Sequence, residues 1–453
     1  MAAALAAAPR AASPGRRNLV VGLGVTGLAC ARWLHAHGER VTVNDSRAAP
    51  PGLAALRALD AGIEVHAGRF EPALLDGVER VVLSPGVSRR EPLVAAALAR
   101  GLPVVGDIEL FALAVAAPVL GITGTNGKST VTSLVAAMAQ RAGWGVLAGG
   151  NLGEPALELL ARPVPQLYVL ELSSFQLEST DSLALAAAAV LNLAPDHLDR
   201  YGSLGEYGAA KARIYAHATV AVLNLDDARV AVMPRPGQRR LGFSLERADA
   251  DFGLATRGGA VHLARAGEPL LPLAQLKLPG RHNAANALAA LAIGEAAGLP
   301  IAPMLAALCE FAGLPHRTQW VATRRGVRFV DDSKGTNVAA TLAAVAGLDG
   351  PLVVIAGGDG KGQDFAPLAA GFRGKVRHAV LIGRDRAALA AVLTGVCTSE
   401  LAPDMAAAVA AAAAAAQPGD LVLLSPACAS LDMYRDYRQR GELFAAAVRE
   451  LAP

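Results

Sequence analysis

GITGTNGKST, residues 121–130, decides how the rest of this 453-residue chain is read. It falls one step short of the P-loop spacing G-x-x-x-x-G-K-[ST]: counting back from Gly127, Lys128 and Ser129, the first glycine is due at a position held by Ile122. What remains is Gly124-x-x-Gly127-Lys128-Ser129, a compact loop that leaves the apolar run VLGI and enters a helix near Ser129. Backbone N–H groups and the positive end of that helix then face one concavity, which suits a phosphate chain. In such a loop the lysine sits on the β and γ phosphates, and the hydroxyl of Ser129 is placed to ligate magnesium.

On both sides of this loop one theme recurs: a short apolar run, a polar or glycine turn, then a helical stretch. That is the rhythm of parallel β-α units. NLVVG, RVTVND and RVVLSPG mark strands before residue 107, and PVLGITG, QLYVLELSS, AAAVLNLAPDH and VAVLNLDD mark them in the middle. After the turn-rich GLPHRTQ (313–319) the rhythm resumes with VRFVDDSK, LVVIAGGDGK, HAVLIGRD and DLVLLSPAC. The pattern predicts an α/β protein of three domains: a Rossmann-like N-terminal domain over 1–106, a P-loop mononucleotide-binding central domain over 107–313 and a Rossmann-like C-terminal domain over 314–453. MAAALAAAPRAASPG at the start lacks the basic region and strong apolar core of a signal peptide, so residues 1–17 are expected to be a disordered extension.

Bulk chemistry narrows the partners. Lys plus Arg number 42 against 39 Asp plus Glu, so a net charge of +3 supplies no one-signed field for nucleic acid or an anionic membrane. Small molecules are the expected partners. Apolar residues make up 53% of the chain, yet run 110–122 is broken by Pro118 and run 405–416 follows Asp404. Neither reaches the ~18–20 residues of a membrane span. Cys30, Cys309, Cys397 and Cys428 stand far apart without a C-x-x-C pair, which predicts neither zinc nor a disulfide framework and fits a reducing cytosol.

In open parallel sheets ligands bind beyond the carboxyl ends of the strands, so the polar residue after each apolar run is the informative one. QLYVLELSS puts Glu171 at that point, where a carboxylate is able to ligate magnesium directly or through water. LNLAPDHLDRY delivers Asp196, His197 and Asp199 to the same edge one strand later. In the third domain VRFVDDSKGTN sets Asp332, Lys334, Thr336 and Asn337 after a strand, LVVIAGGDGK adds Lys361, and LVLLSPACASLDMYRDY adds Ser430, Leu431 and Tyr437. Together these make a cationic, hydroxyl-rich face suited to a dicarboxylate amino acid. The first domain raises a rival: Gly22-x-Gly24-x-x-Gly27, with Asp45 closing the next strand, is the fingerprint of a dinucleotide-binding dehydrogenase. A lone fingerprint is weak, however, and the triphosphate loop has no part in hydride transfer.

GTNGKST, ELSSFQLE, LNLAPDHLDRY and AAKARIY, followed by GLPHR, DDSKGTN, GGDGK and LLSPACASLD, stand in the order seen in the Mur ligases of bacterial cell-wall synthesis. From Leu19 to the C-terminus the chain resembles that family, and within it the branch that adds D-glutamate. The resemblance implies a monomeric cytoplasmic enzyme with ATP, two magnesium ions and carbon dioxide, held as a lysine carbamate, for cofactors. Its substrates would be UDP-N-acetylmuramoyl-L-alanine, whose carboxylate takes the γ-phosphoryl group, and D-glutamate, whose amine attacks the acyl phosphate.

The same resemblance distributes the residues. Lys128, Glu171, His197 and Lys211 are implied to be catalytic, with Ser129, Glu171, His197 and the Lys211 carbamate as magnesium ligands. ATP falls to Gly124, Thr125, Asn126, Gly127, Lys128, Ser129, Thr130, Asn283, Asn286, Arg317 and Asp332. The UDP-sugar falls to Val25, Thr26, Asp45, Ser46, Arg47, Ser84, Gly86, Asn151, Ser173 and Lys334, and D-glutamate to Thr336, Lys361, Ser430, Leu431 and Tyr437. Lys211 would otherwise pass for a surface lysine, and at pKa ~10.4 only about one such amine in 2,500 is neutral at pH 7. Carbamylation therefore needs burial beside other cations. Two positions depart from the family: Gly335 stands where alanine is usual in DSKATN, and Tyr437 where some relatives have phenylalanine. Folylpolyglutamate synthase, which shares the loop and glutamate addition, is the nearer alternative, but it lacks a UDP-binding first domain.

Overall fold

The structure, a computed structural model, describes residues 13–278 and 280–452. Three separate sheets account for every strand among them. The first holds β1 (Arg17–Val21), β2 (Arg40–Asp45), β3 (Glu64–Ala67), β4 (Arg80–Leu83) and β5 (Val104–Val105). All pairs are parallel, in the order β3-β2-β1-β4-β5. The order reverses between β1 and β4, and at such a switch point diverging connections open a crevice.

The second sheet starts with β6 (Val119–Thr123), β7 (Val146–Gly150), β8 (Leu167–Glu171), β9 (Leu185–Val190), β10 (Ala218–Asn224) and β11 (Arg239–Phe243), all parallel. It is extended at one edge by β12 (Phe252–Arg257), β13 (Ala260–Arg265) and β14 (Glu268–Pro272), of which β13 and β14 run antiparallel to their neighbours. The third sheet joins β15 (Gln319–Arg324), β16 (Val327–Asp331), β17 (Leu352–Gly357), β18 (Val376–Ile382), β19 (Thr398–Leu401) and β20 (Leu421–Leu424) in the order β15-β16-β20-β17-β18-β19, with β15 alone antiparallel. Apolar runs such as LVVIAG and LVLL are buried along their whole length because helices cover both faces.

Packing joins the domains unequally. Val20, Cys30 and Leu34 of the first domain share one apolar cluster with Ile108, Leu157 and Leu170 of the middle one, through the helices Asp107–Ala114 and Ala156–Leu159. The third domain keeps its own two clusters. It meets the middle domain through polar contacts: Asn126 with Asn337, Lys361 with Asp196, and Arg317 with Ser129. Among the described residues no helix is long and apolar enough to cross a membrane.

One expectation needs correction. Residues 13–17 are part of the fold rather than a disordered extension: Ser13 N–H donates to Glu39 Oε1 at 3.0 Å, Gly15 N–H donates to the Gly38 carbonyl at 2.9 Å, and β1 opens at Arg17. The alanine-rich composition hid a turn pinned by the end of the first helix. Residues 1–12 of that extension lie outside the described residues.

Tyr215 offers a test of the middle sheet. Its ring is buried, and its hydroxyl accepts from Val190 N–H at 2.9 Å and donates to the Val222 carbonyl at 2.8 Å, tying β9 to β10. Tyr215→Phe removes both bonds at a cost of about 1–3 kcal/mol. The expected readout is a thermal midpoint lowered by about 2–12 °C with nucleotide binding intact; an unchanged midpoint would show that the strands do not depend on this bridge.

Candidate active site

The loop after β6 needs glycine twice for backbone reasons. Gly124 and Gly127 have φ of +148° and +83°, where a side chain is strained, and a Cβ on Gly127 would also run into Asn286 Oδ1. The loop is clamped to the exit of β9. Asn126 N–H donates to Asn192 Oδ1 at 2.8 Å, Asn192 Nδ2 returns a bond to the Asn126 carbonyl at 3.0 Å, and Thr125 N–H donates to the Asn192 carbonyl at 3.0 Å. The helix Lys128–Arg141 then starts with no side-chain cap, leaving its first N–H groups turned toward the loop.

Two lysines converge on this turn from different helices. Lys128 Nζ donates to the carbonyls of Gly124 and Thr125 at 2.9 and 2.8 Å, and Lys211 Nζ donates to the same Gly124 carbonyl at 2.8 Å. Lys211 is only 1% exposed, and its ammonium lies 4.5 Å from the centroid of the Tyr207 ring one helical turn earlier. Among the described residues no carboxylate stands in salt-bridge range of it. Burial and the neighbouring Lys128 hold its pKa well below the ordinary lysine range.

Glu171 ends β8 with Oε1 accepting from Asn151 Nδ2 at 2.6 Å, while Oε2 is buried with no hydrogen-bond partner. Burial pushes this carboxyl up, but Lys128, Ser129, Asn151 and Lys334 outweigh it and keep it below its usual range. His197 stands in a left-handed conformation at φ +55° with its ring against Phe175. Burial drives its pKa down to about 4, so the imidazole is neutral near pH 7 and free to act as a ligand. Asp196 is held ionised despite burial by the Lys361 ammonium, and it also accepts from Asn337 Nδ2 at 3.2 Å.

Around these groups lies one cleft of two lobes. The first, about 260 Å³, is lined by Lys128, Ser129, Glu171, His197 and Lys211 together with Thr125, Asn151, Ser173, Lys334 and Thr336. The second, about 170 Å³, takes in Thr130, Asn283, Asn286 and Asp332, beside Asn192, Asn224 and His282. Asn126, Gly127, Arg317 and Lys334 face both lobes. Arg317, delivered by the third domain, donates to Ser129 Oγ at 2.7 Å.

Three family models match the chain: the Mur ligase MurD-like N-terminal domain over 16–106, the Mur ligase middle domain over 122–294 and the Mur ligase glutamate ligase domain over 316–428. The chain is 54% identical to the UDP-N-acetylmuramoylalanine--D-glutamate ligase of Nitrosococcus oceani over 437 residues, 96% of each protein. It is 51% identical to the protein of that name from Aromatoleum aromaticum, over 96% of this chain and 98% of that one. The chain belongs to the Mur ligase family. Among solved structures, the UDP-N-acetylmuramate-alanine ligase of Thermotoga maritima superposes with a TM-score of 0.62 at 19% identity, covering 96% of this chain and 99% of its own, which speaks to the three-domain α/β fold alone.

Not every residue singled out in the sequence of this Mur ligase reaches the cleft. Val25, Thr26, Asp45, Ser46, Arg47, Ser84 and Gly86 sit at the carboxyl edge of the first sheet, outside both lobes, with Val25 73% exposed. The Asp45 carboxylate is already engaged, accepting from Leu23 N–H at 2.6 Å and from Arg47 through its backbone N–H, Nε and Nη2 at 2.6–2.8 Å. Lys361 is tied to Asp196, and the Tyr437 ring lies 4.2 Å from Lys334 Nζ. Ser430 is buried and Leu431 is 73% exposed; neither lines a lobe, and Asp199 is exposed.

The sequence reading passed over Asn192, Asn224, Tyr207, Phe175 and His282. Asn192 follows an apolar strand, the signal that found Glu171, and Tyr207 precedes Lys211 by four residues on one helical face. Asn224, the polar residue that ends β10, carries the same exit signal, whereas Phe175 and His282 carry none.

Gly335 has no free room for a side chain. A Cβ there would fall 2.6 Å from Asp332 Oδ2 and 2.8 Å from Ser425 Oγ, whose mutual hydrogen bond of 2.8 Å occupies the space. Gly335→Ala is expected to displace Asp332, weakening nucleotide binding about three- to tenfold and costing about 1–3 kcal/mol of stability. Calorimetric titration with ATP checks it, and unchanged affinity would show that the carboxylate relaxes freely.

Proposed function

We propose that this chain joins D-glutamate to UDP-N-acetylmuramoyl-L-alanine in an ATP-dependent amide ligation that passes through an acyl phosphate. The names of relatives matched over nearly the whole chain support the substrate pair. The single observation that carries the chemistry is the lobe where Lys128, Glu171, His197 and Lys211 of the middle domain face Arg317, Lys334 and Thr336 of the third. A carboxylate is a poor acyl donor until phosphate replaces its charged oxygen as leaving group. In the first step an oxygen of the alanyl carboxylate bonds to the γ phosphorus as the bond to ADP breaks. In the second the glutamate nitrogen bonds to the carbonyl carbon, loses a proton and expels inorganic phosphate.

Each residue has a part in that sequence. The uncapped helix start and Lys128 hold the β and γ phosphates, and Arg317 adds positive charge from the opposite domain. Asn283, Asn286 and Asp332 line the lobe that would take the nucleoside. Thr336, which lines the larger lobe, and Lys361 beside Asp196 would meet D-glutamate, whose carboxylate would compete with Asp196 for Lys361; Tyr437, Ser430 and Leu431, outside both lobes, would serve it only from the rim. The edge of the first sheet takes the uridine diphosphate. The Asp45 carboxylate, engaged by Leu23 and Arg47, would serve that edge by holding the turn and Arg47 in place.

The donor set fits magnesium. Glu171 offers a buried oxygen without a partner, Ser129 a hydroxyl and His197 a neutral imidazole. Among the described residues no cluster of three or more His, Cys, Asp and Glu surrounds a metal position, as expected for a cation that takes most of its ligands from phosphate and water. Two magnesium ions, when bound, would neutralise charge on the transferring phosphoryl group. Lys211, whose pKa burial and Lys128 lower, would in its neutral form be a nucleophile for carbon dioxide: its nitrogen bonds to the carbon, sheds a proton and becomes an anionic carbamate able to ligate a cation. The same reading makes the protein a cytoplasmic monomer, in keeping with four free thiols.

Phosphate release that requires both the UDP-linked acceptor and D-glutamate is the expected result; release with neither would point to a plain ATPase. Lys128→Ala should lower turnover by at least about 10²-fold without moving the thermal midpoint, since it removes a charge contact rather than packing. Lys211→Ala should be inactive and partly restored by a short carboxylic acid, and the unaltered protein should lose the mass of carbon dioxide on acidification. Full activity of Lys211→Ala with no additive would exclude the carbamate.

A further inference from the structure

The turn opened by His197 closes with two backbone bonds, from the N–H groups of Arg200 and Tyr201 to the His197 carbonyl, both 3.0 Å. From that turn the Arg200 side chain crosses into the first domain, where it is only 11% exposed. Its guanidinium donates to the Pro85 carbonyl at 2.7 Å and the Val87 carbonyl at 3.3 Å, and it pairs with Glu178 at 2.8 Å. It also lies 4.0 Å from the centroid of the Phe175 ring, which in turn meets the His197 imidazole at 4.8 Å. From the first domain Arg89 reaches back to the Glu178 carbonyl at 3.2 Å.

The loop seized in this way, residues 84–87, leaves β4 at the switch point of the first sheet and packs on the glycine turn, where a Cβ at Gly22 would fall 2.8 Å from Ser84 Cβ. One buried fork therefore holds three things in register: a first-domain loop, the end of the helix Ser174–Leu177, and the turn that carries His197. Two carbonyls, a carboxylate and an aromatic face at once suit a planar guanidinium, whereas a lysine ammonium is a point charge without the fork. Arg200 lines neither lobe of the cleft, so it touches no reacting atom.

We propose that Arg200 is a positioning residue that fixes the distance between the sugar-nucleotide loop and the His197 turn, so that the acceptor carboxylate arrives in register with the phosphoryl group. This rests on the proposed function, in which the first domain grips the UDP end and the middle domain the reacting end of one substrate. A misplacement of about 1 Å at the reacting end is enough to matter.

Steady-state kinetics on Arg200→Met, which keeps the stem but loses the donors, tests it. The expected result is an acceptor KM raised about tenfold while the KM values for ATP and D-glutamate stay within about twofold, as loss of one charge-assisted contact predicts. Arg200→Lys should recover only part of this, and Arg200→Met combined with Ser84→Ala should cost less than the product of the single changes, because both act on one loop. An unchanged acceptor KM overturns the proposal. So do three KM values rising together with a fallen thermal midpoint, which would make Arg200 a structural strap. Should Arg200→Met fail to fold, the same split in Arg200→Lys decides. If the unaltered protein shows no acceptor-dependent phosphate release, the proposed function itself falls, and that outcome is read separately from the variants.

Discussion

Two buried lysines share one carbonyl oxygen, and much of the site follows from that. Lys128 and Lys211 both donate to Gly124, so their nitrogens stand within two hydrogen-bond lengths of each other, out of bulk water and with no carboxylate in salt-bridge range among the described residues. In such surroundings desolvation and mutual repulsion both disfavour the charged ammonium and lower both pKa values. Glu171 and Asp196 partly offset the lowering at Lys128, while Lys211 is pushed well down. A single backbone oxygen thus holds two amines in unlike surroundings.

The unequal domain interfaces fit the same chemistry. First and middle domains are bonded by a continuous apolar cluster and by the Arg200 fork, which together hold their surfaces at a set spacing. The third domain approaches through side-chain hydrogen bonds and an ion pair that water or ligands are able to replace, as is usual where domains move. Lys361 on Asp196 and Arg317 on Ser129 satisfy, within the protein, the groups that substrates would engage.

Much of the middle domain was open to a reader of the linear chain. The strands around GITGTNGKST are uninterrupted apolar runs with one polar residue at each exit, and that rule alone located Glu171 and His197. The ribbon β12–β14 was missed, although Gly258 and Gly259, both at positive φ, form the two-residue turn that such a hairpin demands. Its strands carry Arg257, Arg265 and the exposed Ala260 rather than a clean alternation, so no period announced them. The third-domain edge strand β15, with Trp320 exposed, escaped for the same reason.

By itself the amino-acid order determined the α/β class, the phosphate loop and the candidate list, because hydrophobic period, glycine need and residue type are local properties. Only the tertiary structure decided which candidates meet. Asn126 and Asn337 lie 211 residues apart and Lys361 and Asp196 165 apart, yet each pair is in hydrogen-bond contact. Ser430 and Leu431, by contrast, stay out of the cleft. Burial of Lys211, occupation of Asp45 and the space that Gly335 leaves for Asp332 are likewise set by neighbours from other elements, and a one-dimensional pattern carries no term for who those neighbours are.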